Sequence, residues 1–269
     1  MRRFPFLVLA IGQVLLSASA GWCQDAAGSS DGVQGYVALG AGLLPDYEGA
    51  SKYVVVPYFD GQANLGNYFL RFDGSFKANI IDDENFHAGP LIGYRMGRGD
   101  VYDGAIARMQ HIRYSVTDGG FVEYEHLAQD PRSGERLTLS VADGNINYQS
   151  GLEVTLAAMV HRPLTFIDEG LIAAMEIDTS FGDGKFMQTS FGVSGADALA
   201  SGFPVYRAGS GAELTSISLS LDQYLSPKWS VGVRMRYARL LGDAEESPVT
   251  RIAGSPDQLF GAVVVGYVL

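Results

Sequence analysis

Cysteine is almost absent from this chain, which rules out the commonest way of stapling an exported fold. The single Cys23 lies in an unpatterned lead segment, so disulfides do not hold the structure. Histidine is scarce too: His87, His111, His126 and His161 are the only four, and none has the H-E-x-x-H spacing of a zinc hydrolase. No G-x-S-x-G elbow is present, and Gly192-Val193-Ser194-Gly195 only brushes that pattern. A Ser–His pair assembled from distant strands stays open, because triads are spatial. No glycine-rich phosphate loop or Cys–His cluster appears. The expectation is a non-enzyme with no catalytic residue, no cofactor and no metal. Positive charge is short as well, with 19 Lys and Arg against 30 Asp and Glu. Phosphates would be repelled, so nucleic acid is not expected as a partner.

Long apolar runs are missing everywhere except the N-terminus, so a membrane reading of the remaining chain must be β. The N-terminus reads Met1-Arg2-Arg3, an apolar run from Phe4 to Leu16, then Ser17-Ala18-Ser19-Ala20. This is a secretory signal, expected to be cleaved after Ala20 and too short to span a bilayer. Trp22 before Cys23 fits poorly with lipidation, which wants small residues there. Residues 1–20 carry two arginines and no acid, so their loss moves the formal charge from −11 to −13. The remaining length suits a flexible lead over 21–33 and one domain over 34–269.

What is present is alternation. The chain ends Phe260-Gly-Ala-Val-Val-Val-Gly-Tyr-Val-Leu269, with period two up to the terminus. A soluble protein would leave such a strand as a sticky edge, whereas a closed barrel pairs it with its first strand. The same period runs through Trp229 to Ala238, Ser216 to Asp222, Leu171 to Asp178, Leu152 to His161 and Phe86 to Arg95. In each, one face is greasy and the other small, polar or charged. A β-sandwich alternates too. Strands near ten residues and aromatics near strand ends favour a membrane barrel: Trp229, Tyr237, Tyr224, Tyr68, Phe72, Tyr94 and Tyr267.

The expected fold is therefore all-β, a transmembrane antiparallel barrel of about twelve strands. The strands are placed at 34–42, 52–62, 66–73, 75–81, 86–97, 119–127, 136–142, 151–162, 170–181, 212–225, 229–240 and 258–268. An even count puts both termini in the periplasm, with short turns there and longer loops at 98–118, 182–211 and 241–257 outside. The Asp73-Gly74 turn is the exception, very short on the outer side. Arg71, Asp73, Arg95, Glu153, Glu176, Asp178, Arg234 and Arg236 fall on the inward face, where both signs suggest ion pairs and a mostly occluded lumen. Ser194 to Gly202 reads as a short helix, with Ser194 and Asp197 as a capping box and Gly202 ending it, either as a lid or as an ordered outer loop.

Three loop motifs follow in order: Leu44-Pro45-Asp46-Tyr47-Glu48-Gly49-Ala50; Phe191-Gly192-Val193-Ser194 with Ala198 to Ser201-Gly202-Phe203-Pro204-Val205-Tyr206; and Leu240-Leu241-Gly242-Asp243-Ala244-Glu245-Glu246-Ser247-Pro248-Val249. Together they resemble the MipA/OmpV family of outer-membrane proteins, named for interaction with the lytic transglycosylase MltA. One departure is Leu269, where an aromatic is expected. The resemblance implies the outer membrane of a Gram-negative bacterium, with lipid around the barrel. It also implies a scaffold that brings a murein hydrolase, the lytic transglycosylase, to a bifunctional penicillin-binding protein. A passive small-solute channel and a surface adhesin using the long loops are the alternatives. Asp46, Tyr47 and Glu48 could bind a cation or a basic group, but such residues more often make a turn with a girdle tyrosine. The other motif positions (Pro45, Gly49, Phe191, Gly192, Ser201, Gly202, Tyr206, Gly242, Asp243, Ser247 and Pro248) likewise suit structure better than binding.

Overall fold

The computed structural model describes residues 33–146 and 151–269. The expected leader, its cleavage site and all but the last residue of the 21–33 lead lie outside the described residues. Twelve antiparallel strands close into one barrel in chain order. They are β1 (Gln34–Pro45), β2 (Tyr53–Leu65), β3 (Tyr68–Phe72), β4 (Phe76–Asn79), β5 (Phe86–Arg95) and β6 (Ser115–Leu127). The circuit continues with β7 (Gly134–Ile146), β8 (Leu152–Pro163), β9 (Leu171–Gly182), β10 (Gly211–Tyr224), β11 (Trp229–Leu240) and β12 (Asp257–Val268).

Period two decides which way each side chain points. Leu39, Val55, Leu137, Leu156, Ile177, Leu219 and Val263 are exposed on the outer wall, while alternate residues such as Ser216, Ser218 and Ser220 are buried inside. In water that apolar belt would be a liability; in hydrocarbon it is the stabilising surface. Closure then satisfies the terminal strand. β12 pairs with β11 on one side and with β1 on the other, with Leu39 opposite Val265 and Tyr36 opposite Val268.

Aromatic pairs mark the two rims. Trp229 packs edge-on against Tyr267 at 4.8 Å on the side of the termini, and Tyr94 stacks on Tyr114 at 5.7 Å on the other. Phe72 departs from the girdle expectation: it is buried, covered by Phe76 at 4.5 Å and Phe59 at 5.2 Å. The twelve expected strands are all present with shifted ends. β1 runs on to Pro45 because Leu43 and Pro45 find partners in Val55 and Tyr53, and β6 starts at Ser115 because it pairs with Arg95. β3 and β4 are shorter than expected, and their hairpin turns tightly through Asp73, Gly74 and Ser75.

Candidate functional site

Inside the belt, the inward charges form linked ion pairs. The Arg71 guanidinium meets Glu123 at 2.5 Å and Asp73 at 3.3 Å, Lys77 meets Asp73 at 2.9 Å, and Arg136 reaches Glu123 at 3.6 Å. Arg234 holds Asp222 at 2.9 Å and Asp60 at 3.4 Å; Arg236 holds Asp178 at 3.2 Å; Arg95 holds Glu153 at 3.4 Å. All eight charges expected to face inward do so, and all but Arg236 are buried. Desolvation offsets much of the attraction in such pairs, so their net effect is to fill the lumen and fix side-chain positions. Losing one partner would strand the other.

His87, Glu123 and Glu125 bring ligand atoms within 4.8 Å of one another, a grouping that no sequence spacing announced. Arg136 lies within ion-pair range of both glutamates and Arg71 is bonded to Glu123. Two guanidinium groups already neutralise those carboxylates and would repel a dication, so the arrangement serves pairing better than metal binding.

Above this belt the outer loops fold into a cap. Between β9 and β10 lie α1 (Gly184–Phe191) and α2 (Gly195–Ser201); between β11 and β12 lie α3 (Gly242–Glu246) and α4 (Pro248–Arg251). A short 3-10 turn, Ile106–Arg108, sits in the loop after β5. The expected helix appears as drawn: Ser194 and Asp197 cap α2 reciprocally, and Gly202 ends it in the left-handed conformation at φ 84°. The other helices escaped sequence reading. Their signals were slight: Asp183 caps α1 by accepting from the Phe186 N–H, and Ser247 caps α4 ahead of Pro248.

Two apolar clusters hold the cap down. One joins Tyr47, Ala50, Val101, Ile106, Met109, Val193, Phe203 and Val249 across four loops. The other packs Phe186, Met187 and Phe191 of α1 onto Ala208, Leu214, Ala238, Leu240 and Ala244. Polar ties cross the same seams. The Gln110 N–H donates to Asp197 at 2.6 Å, Arg98 donates to the Ser190 carbonyl at 2.8 Å, and Arg108 donates to the Ala200 carbonyl at 2.8 Å. Burial pushes the Asp197 carboxyl up, but the N–H of Gln110 and the bonds from Ser194 outweigh it and leave it below the ordinary range.

The family-motif positions converge on this cap. Pro45 ends β1, Asp46 accepts from the Tyr102 N–H at 2.7 Å, and Glu48 hydrogen-bonds Glu213 of β10. Tyr47 is buried in the cap cluster and is not the lipid-girdle tyrosine the sequence suggested, because the loop after β1 folds inward under Val249 and Phe203. Gly49 sits at φ 89°, donates to the Gln258 side chain and would press any Cβ onto Thr250 Oγ1 at 2.9 Å. The Phe191 carbonyl accepts from the Ser247 hydroxyl at 2.5 Å, and the Gly192 N–H donates to the Gln188 carbonyl at 3.0 Å. The Ser201 hydroxyl donates to the Asp197 carbonyl, just ahead of Gly202. The Tyr206 hydroxyl donates to the Asp243 carbonyl at 3.1 Å, while the Asp243 carboxylate accepts from Gly209. Gly242 opens α3, and Pro248 is buried as the first residue of α4. The ties from Arg98, Arg108 and Gln110 come from a loop in which nothing in the sequence stood out.

Between cap and ion pairs lies a cavity of about 110 Å³, lined by Leu44, Met96, Phe186, Leu240 and Phe260, with Glu48, Arg95, Glu153 and Arg236 on its polar side.

Residues 37–269 match the family described as MltA-interacting protein MipA. No curated protein matches the sequence. Among solved structures, the chain is similar to outer-membrane OmpT of Vibrio cholerae at 7% identity and TM-score 0.40, covering 90% of this chain and 99% of that one. It is similar to Pseudomonas aeruginosa OprD at 15% identity and TM-score 0.37, covering 87% of this chain and 66% of that one. It is also similar to a bacterial polysaccharide outer-membrane secretin at 9% identity and TM-score 0.39, covering 87% and 98%. Likenesses this distant say nothing about function.

Proposed function

We propose, because the chain belongs to the MltA-interacting protein MipA family, that this outer-membrane barrel is a non-enzymatic scaffold. It would hold a lytic transglycosylase beside a bifunctional penicillin-binding protein on the periplasmic side. The motif residues support this indirectly: they are occupied in building the outer cap, so partner contacts fall to the opposite rim. The observation that carries the reading is the turn over residues 164–170, which leaves Phe166 83% and Ile167 63% exposed. That turn is firmly built, since the Ile167 N–H donates to the Leu164 carbonyl at 2.8 Å and Gln223 donates to Asp168 at 2.9 Å. Leu225 in the adjacent turn is also largely exposed. Apolar side chains held outward at a membrane rim, beside one another, suit a protein partner.

Crosslinked co-purification from envelopes tests the idea. The wild-type chain should retain the murein enzymes, Phe166→Asp with Ile167→Asp should lose them, and deletion of residues 186–208 should not. Recovery of no murein enzyme under conditions that preserve weak complexes would end the proposal. The channel alternative gains nothing from a lumen crossed by ion pairs and roofed by helices.

A further inference from the structure

Among the described residues, the barrel wall is incomplete on its outer half. β3 pairs with β2 only from Gly61 to Leu65, and β4 pairs with β5 only at Phe76–Ile92 and Lys77–Leu91. Above the Asp73-Gly74-Ser75 hairpin tip, β2 from Tyr53 to Asp60 has β1 on one side and no described strand on the other. Two strands are missing there, so the opening is about 14 Å wide at the usual inter-strand spacing. Its upper edge is the loop after β5, which crosses to the β1–β2 turn through the Tyr102 N–H on Asp46 and Lys52 on the Tyr102 carbonyl. The result is a window with four sides.

One proline agrees with it. Pro57 stands in β2 opposite Ala41 of β1, within the stretch that has no described strand on its other side. Proline cannot donate to a ladder and is tolerated where a strand lacks a neighbour.

The window opens at hydrocarbon depth. The outward face of β2 stays apolar to its end, through Phe59, Pro57, Val55 (74% exposed) and Tyr53, and the sill carries exposed Phe76. An edge with free backbone groups is costly in lipid unless it lines a protein cavity. Behind the edge, the lumen changes character. Elsewhere ion pairs run among the buried side chains, but Val54, Val56 and Tyr58 of β2 pack inward with Leu44, Phe260 and Met96. Leu44, Met96 and Phe260 also line the cavity beneath the cap.

We infer that this window is a lateral port, through which an acyl chain of an outer-leaflet lipid enters the barrel and lies against Val54, Val56 and Met96. The chain packs on these apolar side chains rather than on the backbone edge, and the port needs no opening of the cap.

Quenching by brominated acyl chains tests it. The mature protein with Cys23→Ser and one new cysteine is labelled with bimane while unfolded, then refolded into phosphatidylcholine vesicles with brominated tails. Val55→Cys, facing lipid, sets the full signal; Thr155→Cys, buried inside the far wall on β8, sets the background. A label at Val56→Cys should be quenched at least half as much as the label at residue 55, with Val54→Cys as the second position should the first not refold. Protection of both positions to the level of residue 155 would overturn the port.

Discussion

At the scale of single residues, the interior is a set of debts between opposite charges. Arg234 is 2% exposed and answers both Asp60 and Asp222. Arg234→Met should therefore destabilise the barrel by about 3–5 kcal/mol, and adding Asp60→Asn with Asp222→Asn should restore most of it. Urea unfolding followed by tryptophan fluorescence measures both. In the cap, the lowered Asp197 carboxyl fixes the sign of a pH effect. A depressed folded value stabilises above the ordinary aspartate range and is lost as pH falls through the folded value. Amide exchange around residues 194–202 should accordingly rise in acid, and Asp197→Ala should raise it at neutral pH through loss of a cap bond of about 1 kcal/mol. The inward direction of these side chains was legible in the sequence, because alternation sets the face. Their partners were not: Arg234 and Asp60 lie 174 positions apart, and only barrel curvature brings them together.

At the scale of elements, strands and cap differ in how they were encoded. Each strand carries its own period-two pattern, so all twelve were readable, with errors at the ends where a neighbour's ladder extends or shortens pairing. Cap helices are short and take their stability from burial; Phe191 is wholly buried, and Val249 sits in a cluster drawn from four loops. Only α2, with a two-way capping box, announced itself. This predicts independence. Deleting residues 186–208 should leave the barrel folded, shown by retained heat-modifiable migration on gels, while lowering its melting temperature. The closing register is equally testable: Leu39→Cys with Val265→Cys, opposite one another across β1 and β12, should form a disulfide on oxidation in the Cys23→Ser background. A shift by one residue would turn one thiol inward and prevent it.

At the scale of the whole molecule, a lipid-facing wall, a charge-filled interior and a folded roof together make a closed outer-membrane body. The two proposals use different parts of it, the rim on the side of the termini and the gap in its wall. The ion pairs and the roof together imply a lumen blocked along its axis. Planar-bilayer recording of the purified mature protein tests that most directly. A sealed barrel stays electrically silent at moderate voltage and becomes leaky once buried pairs such as Arg71–Glu123 are replaced by alanine; a steady ohmic conductance from the unaltered protein would contradict it.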